Sequence, residues 1–167
     1  MDEFDILKTV PLLAFLTDQE LREIKPLLIE QLYEKGTFIF REGEKAEWFY
    51  FLKSGAVKCL KFTPEGKELI LRILLPGEIF CCEAVTFDGT AVHPGNAQTL
   101  CPATILKLSR KVYCDLLQNH PRAACQVISY LGSRLKESQD QVKSIALDPA
   151  EKRIAAYRQL QQRFRQL

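Results

Sequence analysis

The fold can be inferred from residues 36–58, which read Gly36-Thr-Phe-Ile39-Phe-Arg-Glu-Gly43-Glu-Lys-Ala46-Glu-Trp-Phe-Tyr50-Phe-Leu-Lys-Ser-Gly55-Ala-Val57-Lys58. Glycines recur there between short runs of β-branched and aromatic residues. Such punctuation is typical of antiparallel strands joined by tight turns, because glycine adopts the backbone angles that those turns need. The segment therefore predicts an antiparallel meander.

Strand signals continue on both sides of this segment. The sequence favours short strands at Ile29–Tyr33, Thr37–Phe40, Phe49–Leu52, Val57–Phe62, Leu69–Leu74, Ala97–Leu100 and Thr104–Leu108. Between two of them, Thr63-Pro64-Glu65-Gly66 places proline and glycine in turn-forming positions. About eight short strands at this spacing predict a sandwich or a barrel-like roll.

Helical signals lie before and after the predicted strands. Residues 1–28 are predicted to be helical, with Thr17 and Glu20 forming a capping box. The apolar face of this segment would consist of Leu21, Ile24, Leu27 and Leu28. Ser109 is expected to cap a second helix that runs to about Gln118.

A long helix is predicted over Pro121–Leu147, since proline is tolerated in a first helical turn. Six residues three and four apart form a heptad seam on it: Ile128, Leu131, Leu135, Ser138, Val142 and Ile145. A second stripe, Ala124, Val127 and Tyr130, can face the roll. A helix with two apolar faces needs two partners, and the same helix of a second subunit is the simplest one for the seam. The alternative is an amphipathic helix packed on its own domain.

Asp148 and Pro149 begin a final predicted helix with an apolar stripe. The predicted organisation is therefore 1–118 for the first helices and the roll, 119–147 for the long helix, and 148–167 for the last helix.

The composition excludes several classes of protein. A chain of 167 residues with a net charge of +2 is one domain by size and carries no strong electrostatic signal. No apolar run approaches the ~20 residues that a membrane span needs. The N-terminus is acidic, and the six cysteines form no C-x-x-C pair and are expected in apolar surroundings. These features favour a cytoplasmic protein with reduced thiols and no membrane contact.

The spacing Gly-x2-Ile-x3-Gly-x2-Ala-x3-Tyr-x4-Gly-x-Val within residues 36–57 resembles the cyclic-nucleotide-binding β-roll, in particular the sensor domain of Crp/Fnr transcription regulators. The resemblance implies an α+β fold with N-terminal helices, an antiparallel β-roll (double-stranded β-helix or jelly roll) and a long C-terminal dimerisation helix. Residues 148–157 resemble the first helix of the winged helix-turn-helix domain in this family, whose recognition helix and wing are absent here. The expected partners are a second copy of the chain, a small effector, and DNA bound by a domain that this chain lacks.

Residues 76–85 and 93–98 resemble the effector-binding region of the family, and the His-Pro-x-x-Ala-Gln pattern in the second segment is similar to the Fnr branch. In nucleotide-binding members, an arginine in this region clamps the cyclic phosphate. Gly95 stands at the arginine position, and no lysine or arginine occurs between Arg72 and Lys107. Cyclic nucleotide binding is therefore not expected, although a stand-alone cyclic-nucleotide-binding module remains the alternative function.

The resemblance also indicates candidate effector-binding residues, which are Phe80, Cys81, Cys82, Glu83, Asn96, Ala97, Tyr130, Ser138 and Gln139. An iron–sulfur cluster on the Fnr pattern is excluded, because no cysteine precedes Cys59 and Leu106 occupies the internal cysteine position. Relatives imply haem with a diatomic gas, or an aromatic acid, as the effector. His93 and His120 could ligate haem iron, but each is expected to be a surface or capping residue.

No metal site and no enzyme activity are predicted. A cupin-like metalloenzyme on a similar roll would need an H-x-H pair with a further acid and histidine, and the sequence has two separated histidines. No nucleophile–base pair or glycine-rich phosphate loop is evident either. The sequence thus predicts a binding and sensing protein.

Overall fold

The computed structural model describes residues 7–8, 13–14, 16–80, 90–147 and 149. The chain divides into two compact units, Met1–Gln126 and Val127–Leu167. The helices described in full are α1 (Asp18–Ile24), α2 (Arg110–Asn119) and α3 (Pro121–Leu147), and a 3-10 turn, Lys25–Leu27, follows α1. The strands are β1 (Ile29–Tyr33), β2 (Phe38–Phe40), β3 (Trp48–Ser54), β4 (Val57–Phe62), β5 (Glu68–Leu74), β6 (Ile79–Phe80), β7 (Asn96–Thr99) and β8 (Ala103–Ser109). None of the helices within the described ranges has the length and apolar character needed to cross a membrane.

Two four-stranded antiparallel sheets form the roll. The strand order is β1-β8-β3-β6 in the first sheet and β2-β7-β4-β5 in the second. Residues from both sheets make up one buried cluster, to which Tyr50 and Ile105 contribute from the first sheet and Val57 and Leu74 from the second. The inner faces of the sheets therefore pack on each other, which confirms the predicted antiparallel β-roll.

The first sheet is also covered on its outer face. Four consecutive residues of β3, Phe49–Leu52, are buried, although alternate residues of a strand point to opposite sides. Helix α2 packs against β3 and β8, and Tyr113 stacks on Phe49 with ring centroids 4.1 Å apart. Strand β3 thus contributes Tyr50 and Leu52 to the roll interior, and Phe49 to the layer beneath α2.

Most of the predicted elements are confirmed. The capping box is present, with Thr17 N–H donating to Glu20 Oε2 at 2.7 Å and Glu20 N–H donating to Thr17 Oγ1 at 3.3 Å. Ser109 caps α2, and α3 begins and ends where the heptad pattern predicts. All seven predicted strands exist, two with the predicted bounds and five with ends shifted by one or two residues. Strand β6 was not predicted, because two residues show no periodicity.

The predicted helix over residues 1–28 is too long at its C-terminal end. α1 ends at Ile24, the 3-10 turn follows, and Leu28 already has extended backbone angles of −82° and 132°. Pro26 lies inside this turn and has no N–H group for a helical hydrogen bond. The predicted last helix, residues 148–167, lies outside the described residues except for Pro149.

Gly55 should tolerate substitution less well than Gly66. Both Gly55 and Gly66 have positive φ, at +88° and +80°. A Cβ on Gly55 would lie 2.5 Å from the carbonyl oxygen of Pro102, whereas a Cβ on Gly66 would meet nothing within 4 Å. Gly66→Ala should therefore cost about 1–2 kcal/mol from backbone strain alone. Gly55→Ala should cost at least about 1–3 kcal/mol more, because the backbone around Pro102 must shift.

Urea unfolding followed by the fluorescence of Trp48 measures both losses. Gly66→Ala is the matched control, since it has the same backbone strain without the steric clash. Equal losses in the two variants would show that the close approach of Pro102 does not constrain the roll.

Candidate functional site

Four rings form a row inside the roll, which we call the aromatic row: Phe40, Tyr50, Phe80 and His93. Phe40 and His93 stack with centroids 3.7 Å apart and an interplanar angle of 7°. Tyr50 stacks on Phe80 at 5.2 Å and lies 5.3 Å from Phe40. Each of the four residues is at most 7% exposed, so the row occupies the interior between the two sheets.

His93 was expected to be a surface or capping residue, and this is wrong. Its exposure is 2%. The main chain pairs with the turn at residues 43–44, because His93 N–H donates to Glu44 O at 2.8 Å and Gly43 N–H donates to His93 O at 3.0 Å. This pairing accompanies the stacking of the imidazole on Phe40. No periodic pattern in the sequence indicates this burial, since His93 lies outside the regular strands.

His120 does cap a helix, as expected. It is the C-terminal cap of α2, and its N–H donates to Leu116 O at 2.9 Å. The imidazole Nδ1 lies 3.3 Å from Glu20 Oε1, so the residue that caps α2 contacts α1. Hydrogen bonds from Thr17 lower the pKa of Glu20, which favours the charged form of this carboxyl.

Two of the candidate effector residues, Phe80 and Ala97, lie together in the buried cluster of the roll. A third, Asn96, is 6% exposed, and its polar atoms already bind the main chain. Asn96 Oδ1 accepts from Glu42 N–H at 3.1 Å, and Nδ2 donates to Leu60 O at 3.3 Å. Asn96 therefore joins the turn after β2 to β4, which is a structural task.

The remaining six candidates fall into two groups. Cys81, Cys82 and Glu83 lie outside the described residues. Tyr130, Ser138 and Gln139 belong to α3 in the second compact unit, where Tyr130 is half-buried and the other two are exposed.

The heptad seam of α3 presents apolar side chains to solvent. Ile128, Leu135, Val142 and Ile145 are each 61–69% exposed, Ser138 is also exposed, and Leu131 is partly buried. On the second stripe, Val127 is buried, and Ala124 and Tyr130 are half-buried. The two stripes thus differ in burial as the sequence predicted.

Sequence reasoning missed an arginine that faces the roll interior. Val57 pairs with Leu74 across β4 and β5, and both residues belong to the buried cluster. Two residues along each strand, Cys59 pairs with Arg72 on the same face, since side chains alternate along a strand. The Arg72 side chain is 19% exposed and forms an ion pair with Glu78. Residues 73–106 contain no lysine or arginine, but Arg72 supplies a cation to the roll interior.

Gly95, which stands at the arginine position of the nucleotide-binding members, lies beside Leu60 and Lys61 of β4. A Cβ built on Gly95 would lie 3.2 Å from Leu60 O and 3.7 Å from Lys61 Cγ. The Lys61 ammonium itself pairs with Glu42 Oε1 at 2.8 Å. A longer side chain at position 95 would therefore start against the stem of Lys61.

The described cysteines differ in their surroundings. Cys114 is buried, and this burial raises the pKa of its thiol. Cys125 is exposed, so the expectation of apolar surroundings is wrong for this residue. Within the described part of the chain, no three His, Cys, Asp or Glu side chains are grouped as metal ligands.

The family model described as the cyclic nucleotide-binding domain matches residues 30–120, which contain α2 and all of the roll except Ile29. The chain belongs to the cyclic nucleotide-binding domain family. Within this family it is homologous to the Crp/Fnr regulators, as the sequence motifs predicted.

Three relatives show this relation. The sensor domain of the transcriptional regulator DNR from Pseudomonas aeruginosa is 32% identical with a TM-score of 0.70, over 81% of this chain and 90% of that chain. The catabolite activator protein of Thermus thermophilus is 26% identical with a TM-score of 0.69, over 81% and 63% of the two chains. The fumarate and nitrate reduction regulatory protein of Vibrio cholerae is 27% identical over 140 residues, 84% of this chain and 52% of that protein. The chain spans about half the length of the curated relatives it matches.

The aromatic row should depend on a planar ring at position 93. His93→Ala removes the ring that stacks on Phe40 and leaves a cavity, so it should lower the free energy of unfolding by about 2–4 kcal/mol. His93→Phe keeps a ring and should lose clearly less. Both variants lack the imidazole nitrogens and their hydrogen bonds. The difference between their free energies of unfolding therefore measures the contribution of the stacked ring. Thermal and urea unfolding give the comparison, and equal losses would contradict a packing role for the ring.

Proposed function

We propose that this chain is the effector-sensing and dimerisation portion of a Crp/Fnr-type transcription regulator. In this proposal a small effector binds in the roll, two copies associate through α3, and the bound state is passed to a DNA-binding helix-turn-helix domain that follows the sensor. The observation that carries it is the exposed apolar seam of α3 at the end of a roll homologous to Crp/Fnr sensor domains. A cytoplasmic location and a non-enzymatic role belong to the same proposal.

The seam supports dimerisation on energetic grounds. Ile128, Leu135, Val142 and Ile145 expose most of their surface in the single chain. Burying such a side chain contributes about 1.5–3 kcal/mol, and two copies would bury both sets. This gross gain is large enough to offset the ~4–15 kcal/mol that association costs in lost freedom of motion. Ser138 adds a hydroxyl to the seam, and a polar seam residue favours one register over others.

Signalling in this proposal is a two-state equilibrium. The effector must bind one arrangement of the protein better than the other, because a ligand with equal affinity for both shifts nothing. The candidate residues on the roll, Phe80 and Ala97, and those on α3, Tyr130, Ser138 and Gln139, are the positions where such differential contacts are expected from the family.

The effector is proposed to be something other than a cyclic nucleotide. Residues 73–106 contain no lysine or arginine, so the segment that clamps the cyclic phosphate in nucleotide-binding members offers no cation. Arg72 is held by Glu78, and Gly95 faces the stem of Lys61. Cyclic-nucleotide recognition by a stand-alone module is the alternative that these features disfavour.

Haem with a diatomic gas was the effector expected from the sequence, and the positions of the two histidines argue against it. The described residues do not fit an axial ligand set, because His93 is stacked on Phe40 inside the roll and His120 lies beside Glu20 at the end of α2. A haem titration tests this directly. We expect no Soret shift on adding the purified protein, whereas a shift that is lost in His93→Phe would restore haem as the effector.

Dimerisation should fail when the seam carries a charge. Leu135→Lys places an ammonium group in the seam and should convert the dimer into single chains at micromolar concentration. Ser133→Lys is the matched control, because it adds the same charge two residues away on the opposite side of the helix and leaves the seam intact. Sedimentation velocity distinguishes the species. Single chains in the unmodified protein would refute the dimerisation part of the proposal.

A cyclic nucleotide should leave the protein unchanged. We expect millimolar cAMP or cGMP to produce no shift in the melting temperature, because the binding region has no free cation for the phosphate. A saturable increase in melting temperature would favour the alternative function over an effector of another class.

A further inference from the structure

Helix α3 contains a glycine next to a serine near its middle, Gly132 and Ser133. Glycine weakens a helix relative to alanine, because its backbone loses more conformational freedom on folding. Such a residue is useful where a neighbouring group occupies the space that a side chain would need. A Cβ built on Gly132 meets nothing within 4 Å, so close packing within the described chain does not explain this glycine.

Ser133 weakens the same turn of the helix in a second way. Its Oγ donates a hydrogen bond to Tyr130 O at 2.7 Å, in the preceding turn. The same carbonyl oxygen is the regular helical acceptor for the N–H group of Arg134. A serine that bonds back to the preceding turn slightly destabilises a helix and often bends it. Adjacent glycine and serine residues are also one of the few known causes of sharp helix kinks.

The glycine–serine pair lies where the burial of α3 changes. Before the pair, Val127 is buried and Leu131 is half-buried. After it, every residue of 135–147 except Ser144 is exposed. Exposed side chains contribute little tertiary packing, so the backbone of the helix alone sets the direction of residues 134–147 in the single chain. A weak turn at this boundary allows that direction to change without breaking the packing of the earlier residues.

The heptad seam passes the pair without including either residue. Leu131 and Leu135 are the seam residues on its two sides, whereas Gly132 and Ser133 occupy the positions between them. A bend at the pair therefore needs no change in the apolar residues that are available for association.

We propose that Gly132 and Ser133 form a flexible joint in α3. At this joint, residues 134–147 change direction relative to residues 121–131. The second segment extends about 21 Å at about 1.5 Å per residue, so a kink of about 20° would displace Leu147 by about 7 Å.

The joint gives the proposed signalling a physical form. A two-state equilibrium needs two arrangements of one element, and a helix that bends at one weak turn provides them. An effector that favours one direction of residues 134–147 would thereby reposition whatever follows Leu147. This inference rests on the proposed function, namely that α3 passes effector binding to a domain that follows it.

Residual dipolar couplings of the backbone N–H groups test the proposal on the whole chain, because they measure the direction and the order of each helical segment in solution. We expect residues 121–131 and 134–147 of the unmodified protein to fit one rigid straight helix poorly. Their axes should differ by about 20° or more, or the second segment should have the lower order.

Two variants make the expected outcome specific. The double variant Gly132→Ala, Ser133→Ala replaces both weak positions with the best helix former, so both segments should then fit one straight helix. Ser129→Ala is the matched control, because it replaces an exposed serine one turn earlier and keeps the glycine–serine pair. It should leave the difference between the segments unchanged.

Three results would overturn the proposal. The first is an unmodified protein whose two segments fit one straight helix with equal order. The second is a difference that persists in the double variant, since fraying of the exposed segment would then be its cause. The third is a double variant that sediments as single chains while the unmodified protein is a dimer, because Gly132 would then serve the close approach of a second copy. A straight, rigid α3 together with the expected effect of Leu135→Lys on dimerisation would refute the joint and leave the proposed sensor function standing.

Discussion

Packing of the two inner sheet faces against each other is the constraint on which the roll depends. Tyr50, Leu52 and Ile105 from one sheet meet Val57 and Leu74 from the other, and all five are at most 4% exposed. A polar group inside such a layer is costly unless it finds a partner. Among the described residues, every buried side-chain nitrogen and oxygen has one. The polar residues of the interior are therefore few, and the partner of each indicates what the residue can do.

The partners separate two kinds of interior polar residue. Asn96 binds main-chain groups of Glu42 and Leu60, which no ligand can displace without breaking the link between strands. Arg72 binds the side chain of Glu78, whose other carboxylate oxygen accepts a hydrogen bond from Leu75 N–H. Family resemblance pointed to Asn96 as an effector contact, whereas its hydrogen bonds give it a structural role.

The sequence was sufficient to predict features that depend on residues close together in the chain. It was not sufficient for features that depend on how distant segments pair. The Thr17–Glu20 capping box, the cap at Ser109 and the seam of α3 depend on residues three or four apart, so their pattern was sufficient. Residues 68–74 read Glu-Leu-Ile-Leu-Arg-Ile-Leu, an almost continuous apolar run in which no alternation assigns Arg72 to a face. Its direction follows from the pairing with β4, which includes an irregularity between Cys59 and Leu60. Likewise, His93 is buried through pairing with a turn fifty residues away in sequence.

Strand β3 offers a physical route from the roll interior to the start of α3. Its consecutive residues point to opposite sides, with Tyr50 stacked on Phe80 inside and Phe49 stacked on Tyr113 of α2 outside. Tyr50 and Phe49 are consecutive residues of the same strand. A shift of Phe80 that moves Tyr50 would therefore also change the packing of Phe49 under α2. The C-terminal cap of α2 is His120, whose carbonyl oxygen accepts a hydrogen bond from Ala123 N–H in the first turn of α3. A displacement of β6 would therefore reach the first turn of α3 through side-chain packing and this hydrogen bond.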